Sequence, residues 1–359
     1  QLGPDNPETI TALQEHASTE EQGRHDAEAE KLLREVVTRD EQRYGPQTPR
    51  LGSPLSTLGH IVEREDRPEE AEGLYRRAVD VLRPTLGPRN HTIAVTYESL
   101  GSLYAGTLGR FDDAERALKD GQAALPVVDN NIELGLLREL GRLHLMMGKS
   151  DQAETELRQV FESMRKMDGE GRAFTWYNGS EWGRALAAQG RLREAEAIQR
   201  QAAQKLGDLM GPDSYQNSLI GDALADTLEK KGGANEEVLA LRRRSLALAE
   251  KKYPRTNTLW AERATNLARA LLVQDSEASR QEARPLLDQA TSDFRASANI
   301  MDSVGQAFLL RGQLDLLEGQ RAEAQADLGE ALQRLQHEPE QNPAALAKTQ
   351  ALLRRLDKA

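Results

Sequence analysis

Gly148-Lys149-Ser150 has the makeup of the tail of a phosphate-binding loop, in which backbone amides and a lysine hold a nucleotide's phosphates. The spacing defeats it. The leading glycine of that motif falls on Leu143, and the residues before it have helical rather than strand periodicity. Gly179-Ser180-Glu181-Trp182-Gly183 sets a serine between two glycines, but one residue too early for a nucleophile elbow. His16, His25, His60, His91, His144 and His337 form no pair at the spacing that puts two imidazoles on one helix face around a metal. Cysteine is absent, which removes thiol nucleophiles, thiolate ligands and disulfides together. Asn90-His91-Thr92 and Asn178-Gly179-Ser180 match the glycosylation sequon but read as helix caps or turns. No catalytic, cofactor-binding or metal-ligating set emerges, so the chain is expected not to be an enzyme. The arginines remain: Arg138, Arg142 and Arg184 could grip carboxylate or phosphate through paired hydrogen bonds, if a scaffold brings them together.

The scaffold is legible in composition and spacing. Apolar residues make up 38% of the 359 residues and aromatics only 4%. Ala, Leu, Glu, Arg and Gln, all good helix formers, dominate, and no segment alternates as a sheet strand does. A chain of this length outgrows the roughly 250–300 residues that one core serves, unless it is built of repeats that contact only their neighbours. The net charge of -11 argues against a nucleic-acid partner. No apolar run approaches the roughly 18 residues of a bilayer span, and no signal peptide is visible. Lack of cysteine fits cytoplasm and periplasm alike, with cytoplasm the expectation. The opening Gln1-Leu2-Gly3-Pro4 lies in mid-connector without an initiator Met, so the chain reads as a piece of something longer or a processed form.

Small residues recur about every 42 positions at Ala17, Gly59, Gly101, Gly141, Gly183, Ala225, Ala268 and Gly312. A second ladder keeps the same register: Ala29, Ala71, Ala114, Ala153, Ala195, Val238, Ala283 and Ala324. Turn residues separate them at Gly23, Gly109, Gly148, Gly190, Gly232 and Gly319, with Asp66 and Asp275 in the remaining two units. Leu2-Gly3-Pro4-Asp5, Tyr44-Gly45-Pro46-Gln47, Leu86-Gly87-Pro88-Arg89 and Met210-Gly211-Pro212-Asp213 then close one unit and open the next. Asp5, Thr48, Asn90 and Asp213 are the expected caps of the following helices.

Gly109-Arg110-Phe111-Asp112-Asp113-Ala114-Glu115, Gly190-Arg191-Leu192-Arg193-Glu194-Ala195-Glu196 and the apolar-Gly-Pro connector resemble the tetratricopeptide repeat. The period of about 42 matches its longer variety, as in kinesin light chain and bacterial signalling proteins. HEAT and armadillo repeats fit the period but not the Gly-Arg…Ala-Glu turn. The resemblance implies an all-α, right-handed α-solenoid of about eight helix-turn-helix units: 2–44, 45–86, 87–125, 126–167, 168–210, 211–254, 255–294 and 295–338. A C-terminal capping helix follows within 339–359.

In that family the stripe three residues before and one after each small residue lines a concave peptide-binding groove. Transferred to this sequence it gives Glu98, Ser102, Arg138, Arg142, Ser180, Arg184, Asp222, Asp226 and Arg269, with Tyr177 one turn before Ser180. Two readings stand. The arginines receive an acidic segment, a phosphate or a C-terminal carboxylate of a protein or peptide partner; or they pair internally, Arg184 with Asp222 or Asp226 and Arg138 or Arg142 with Glu98. The resemblance implies a non-enzymatic binding scaffold within a larger bacterial signalling protein, alongside a kinase or ATPase. Alternatives are a self-assembling homo-oligomer and, less favoured, an enzyme with a site in the groove.

Overall fold

A computed structural model describes residues 3, 6–23, 25–125, 130–233, 235–252, 258–296, 302–336 and 343–356. Those residues form α-helices joined by short turns, with no strand among them. Residues 1–140 and 141–359 make two compact units. The first contains α1 (Pro7–Gln22), α2 (Asp26–Tyr44), α3 (Gly52–Arg64), α4 (Pro68–Leu86), α5 (His91–Gly106), α6 (Phe111–Ala123) and the opening of α7 (Asn130–Met146). The second holds the end of α7, then α8 (Ser150–Asp168), α9 (Ala173–Ala188), α10 (Leu192–Met210), α11 (Tyr215–Gly232) and α12 (Glu236–Lys252). It continues with α13 (Thr258–Val273), α14 (Glu277–Ala296), α15 (Asp302–Leu317), α16 (Arg321–Gln336) and α17 (Pro343–Leu356). Within each unit, consecutive helices pack as pairs and each pair packs on the next.

The small-residue ladder marks where paired helices touch. An ideal Cβ on Gly59 would lie 2.6 Å from the Tyr75 ring, one on Gly101 2.5 Å from Leu118, and one on Gly141 2.7 Å from Leu157. Each knob stands four residues beyond the matching alanine of the second ladder, so one side chain fills the gap its neighbour leaves open. Ala17, Ala225 and Ala268 of the first ladder are fully buried, as is every member of the second.

Chain ends of helices follow the connectors. The amide of Gly45 donates to Glu41, that of Gly87 to Arg83 and that of Gly211 to Gly207, and the proline that follows each glycine stops the helix. Asn90 caps α5, its Oδ1 accepting from the Thr92 amide at 2.8 Å. Other caps shift by a residue. Ser214 rather than Asp213 caps α11, its Oγ accepting from Asn217. Asn6 caps α1, while Asp5 lies outside the described residues. Thr48 makes no side-chain cap. Asp66 and Asp275 do take the left-handed turn, at φ 61° and 48°. Gly23 instead sits at φ -73°, and Gly233, not Gly232, makes the turn after α11.

The Gly-Arg…Ala-Glu motif acts as a clasp between pairs. Arg67, Arg110 and Arg191 each hold an acid three residues on, Glu70, Asp113 and Glu194, at the start of their own helix. The same guanidinium reaches the glutamate after the preceding pair's ladder alanine: Arg67 to Glu30 at 2.7 Å, Arg110 to Glu72 at 2.8 Å, Arg191 to Glu154 at 3.6 Å. Being partly exposed, each contact is worth about 0–1 kcal/mol; their value lies in fixing register.

The last helix, α17, packs against α16 and α15. Two substitutions separate packing from propensity. Gly101→Ala, driven into Leu118, is expected to cost about 1–3 kcal/mol in urea unfolding. Gly73→Ala in α4, where an added Cβ meets nothing within 4 Å, is expected to stabilise by about 0.5–1 kcal/mol.

Candidate protein-binding site

α9 carries Tyr177, Ser180 and Arg184 on neighbouring turns, and Glu181 between them joins the arginines of this unit. Arg142 approaches one oxygen of Glu181 at 3.7 Å and Arg184 the other at 3.3 Å. Arg142 and Arg184 are thus brought to one carboxylate. Among the described residues the Arg184 guanidinium makes no hydrogen bond; its Nε is buried with only the Glu181 oxygen near it, although the side chain is 40% exposed. Burial opposes its charge, but Glu181, Asp226 and the Tyr177 hydroxyl outweigh that and raise its pKa. Tyr177 stacks on Phe174, with ring centroids 6.1 Å apart. Ser180 is buried.

Arg138 belongs to the first unit, where it meets Glu98 at 3.5 Å and Glu139 at 3.0 Å. Burial pushes Glu98 up, against the pull of Arg138. Ser102 is exposed on α5. Internal pairing therefore holds for Arg138 with Glu98, as one of the two sequence readings anticipates, whereas the ion partner of Arg184 is Glu181.

Asp222, Asp226 and Glu229 form one stripe of α11, and their counterion comes from the core. Arg242, 1% exposed, lies 3.1 Å from Asp222 and 2.9 Å from Glu229 and also bonds Asp226. Arg263 takes the second oxygen of Asp222 at 3.0 Å, together with the Ser245 hydroxyl. Arg269 completes the set, 3.2 Å from both Asp226 and Glu229, with a further bond to Gln306. Burial would push the Asp226 carboxyl up, but Arg242, Arg184 and Arg269 together hold it down at about 2. Asp222 is thereby a counterion inside the fold rather than an acidic contact on its surface.

Sequence reasoning missed Glu181, Arg242 and Arg263. A signal for Arg242 existed. Four residues past the second ladder stand Leu33, Tyr75, Leu118, Leu157, Leu287 and Leu328, but also Gln199 and Arg242. Gln199 is fully buried against Gly183, and neither end of its amide has a protein partner among the described residues. Adjacent pairs thus replace an apolar knob by an amide and then by a guanidinium. No group of three His, Asp or Glu among the described residues could hold a metal ion, and no helix there is long and apolar enough to cross a membrane.

The two polar knobs are expected to respond with opposite sign. Gln199→Met removes an unpaired buried amide and should raise unfolding free energy by about 1–2 kcal/mol. Arg242→Met strands Asp222 and its neighbours and should cost about 3–5 kcal/mol. Because the folded pKa of Asp226 lies below the ordinary value of about 3.9, its contribution is present above pH 4 and is lost as pH falls toward 2. Urea unfolding across that window should be less pH-dependent for Asp226→Asn than for the parent chain.

Tetratricopeptide-repeat family models match residues 50–126 and 183–215. No curated protein matches the chain. Among solved structures, a Rap protein complexed with Competence and Sporulation Factor is similar at 12% identity and TM-score 0.54, covering 98% of each chain. A signal-transduction ATPase with a tetratricopeptide-repeat sensor, from Pyrococcus horikoshii, aligns at 14% identity and TM-score 0.53, over 90% of this chain and 49% of that one. The tetratricopeptide-like repeats of a Podosopora anserina kinesin light chain align at 21% identity and TM-score 0.45, over 56% of this chain and 94% of theirs. The chain carries tetratricopeptide repeats over those two stretches, set in an all-α array of helix pairs.

Proposed function

We propose that the chain is a non-enzymatic scaffold that binds an acidic segment or a C-terminal carboxylate of a protein partner at Arg142 and Arg184, with Tyr177 beside them. It serves as the recognition part of a larger bacterial signalling protein in the cytoplasm. One observation carries this reading. Arg242, Arg263 and Arg269 each donate hydrogen bonds to acceptors of this unit, whereas Arg184 donates none among the described residues and shares a single carboxylate with Arg142. A guanidinium held in place but not saturated is poised for a bidentate anion. Two features of the fold relatives agree with it: the Rap protein was solved with Competence and Sporulation Factor, and the archaeal ATPase uses its repeats as a sensor. A preformed helical surface also binds an extended segment without an ordering cost of its own.

The test is selection from a library of acidic peptides bearing free C-termini, followed by calorimetry of the best binder. Arg184→Gln is expected to weaken binding at least tenfold, in line with about 1.5–3 kcal/mol for hydrogen bonds to charged groups. Amidating the peptide terminus tells a terminal carboxylate from side-chain acids. A library that selects nothing, or a binder indifferent to both Arg184→Gln and Arg142→Gln/Arg184→Gln, refutes the reading.

A further inference from the structure

The first unit carries a feature that anion binding leaves unused. Between α4, α5 and α6 lies a cleft of about 230 Å³. Val79, Leu100 and Ala117 form an apolar lining, Tyr97 stands beside them, and Asp80 and Asp120 flank the tyrosine from α4 and α6. The volume lies below the roughly 300–1,000 Å³ of small-molecule pockets, a size suited to a single inserted side chain.

Its charges are unevenly satisfied. The other acid of the lining, Asp113, is taken up by Arg110 and Arg116, and Arg76 is engaged by Glu72 and the Tyr104 hydroxyl. The carboxylates of Asp80 and Asp120 make neither a hydrogen bond nor an ion pair among the described residues. Arg83 donates to the Tyr97 oxygen at 2.6 Å. Burial, against the pull of Arg83 and helped by the two carboxylates, raises the pKa of that phenol, so it stays protonated. The cleft therefore combines an apolar floor for an aliphatic stem with an aromatic face and two unmatched carboxylates for a cationic head.

The geometry points to a slot for one arginine side chain of a protein partner, its stem over Val79, Leu100 and Ala117 and its guanidinium between Asp80 and Asp120 beside Tyr97. Arginine suits this lining because its planar head both stacks on an aromatic ring and forks to carboxylates. The slot lies within the first unit and the arginine pair within the second, so either can fail without the other.

The probe is the peptide acetyl-Ala-Arg-Ala-amide, titrated into the full chain while the methyl resonances of Leu100 and Ala117 are followed by NMR. Its twin with citrulline in place of arginine keeps the shape and removes the charge. Saturable shifts at both methyls are expected with arginine, at least tenfold weaker with citrulline and at least tenfold weaker in Asp80→Asn/Asp120→Asn. Both substituted side chains are exposed, so the fold should be unaffected, with an unchanged circular dichroism melt as the control. Three outcomes overturn the inference: equal binding of the twin, undiminished binding by the double variant, or shifts spread over the acidic surface but absent from these methyls.

Discussion

Two helices can lie side by side at close range only where one of them offers almost no side chain, and every pair in this protein depends on that rule. Gly59, Gly101, Gly141, Gly183 and Gly312 each leave room that a knob of the partner helix occupies, with an added Cβ arriving within 3 Å of it. The requirement is strict because the obstacle is a packed side chain of a rigid neighbour, and a core at crystal-like density has nowhere to move it. Once the contact is set, the stripe of α9 that carries Arg184 is set as well, since side chains three and four residues apart share a face.

The two polar knobs show how surface chemistry reaches into such a core. Arg242 is costly to bury, and three acids of α11 compensate it, while Arg263 and Arg269 balance the negative charge those acids have left over. Such networks are weak sources of net stability but strong penalties against mispairing. A slipped register would leave several charges without partners at once. The network also divides the arginines into two kinds, those fixed by this compensation and Arg184 at its margin, which shares its field without sharing its hydrogen bonds.

How much of this could be read from the chain depends on how each feature is enforced. The ladders were plain because only glycine or alanine tolerates the contact, so residue type reports geometry directly. The left-handed turns at Asp66 and Asp275 were legible by register even without glycine. Caps were less so: Asp213 and Ser214 are adjacent, both can cap, and a connector motif does not say which one the helix uses. The arrangement around Arg184 was hardest. A long guanidinium stem can reach several acids, and Glu181, one place off the expected stripe, is the one it meets. Arg242 interrupts an otherwise apolar series, a deviation visible only once the series itself has been recognised.

The clasp from Arg67, Arg110 and Arg191 to the glutamate of the preceding pair has an evolutionary corollary. Because donor and acceptor occupy the same places in successive modules, duplication or loss of one whole module at the DNA level would rejoin like with like at the seam. Chains built this way can lengthen or shorten in steps of a repeat without inventing a new joint. The covalent unit of change and the folding unit then coincide.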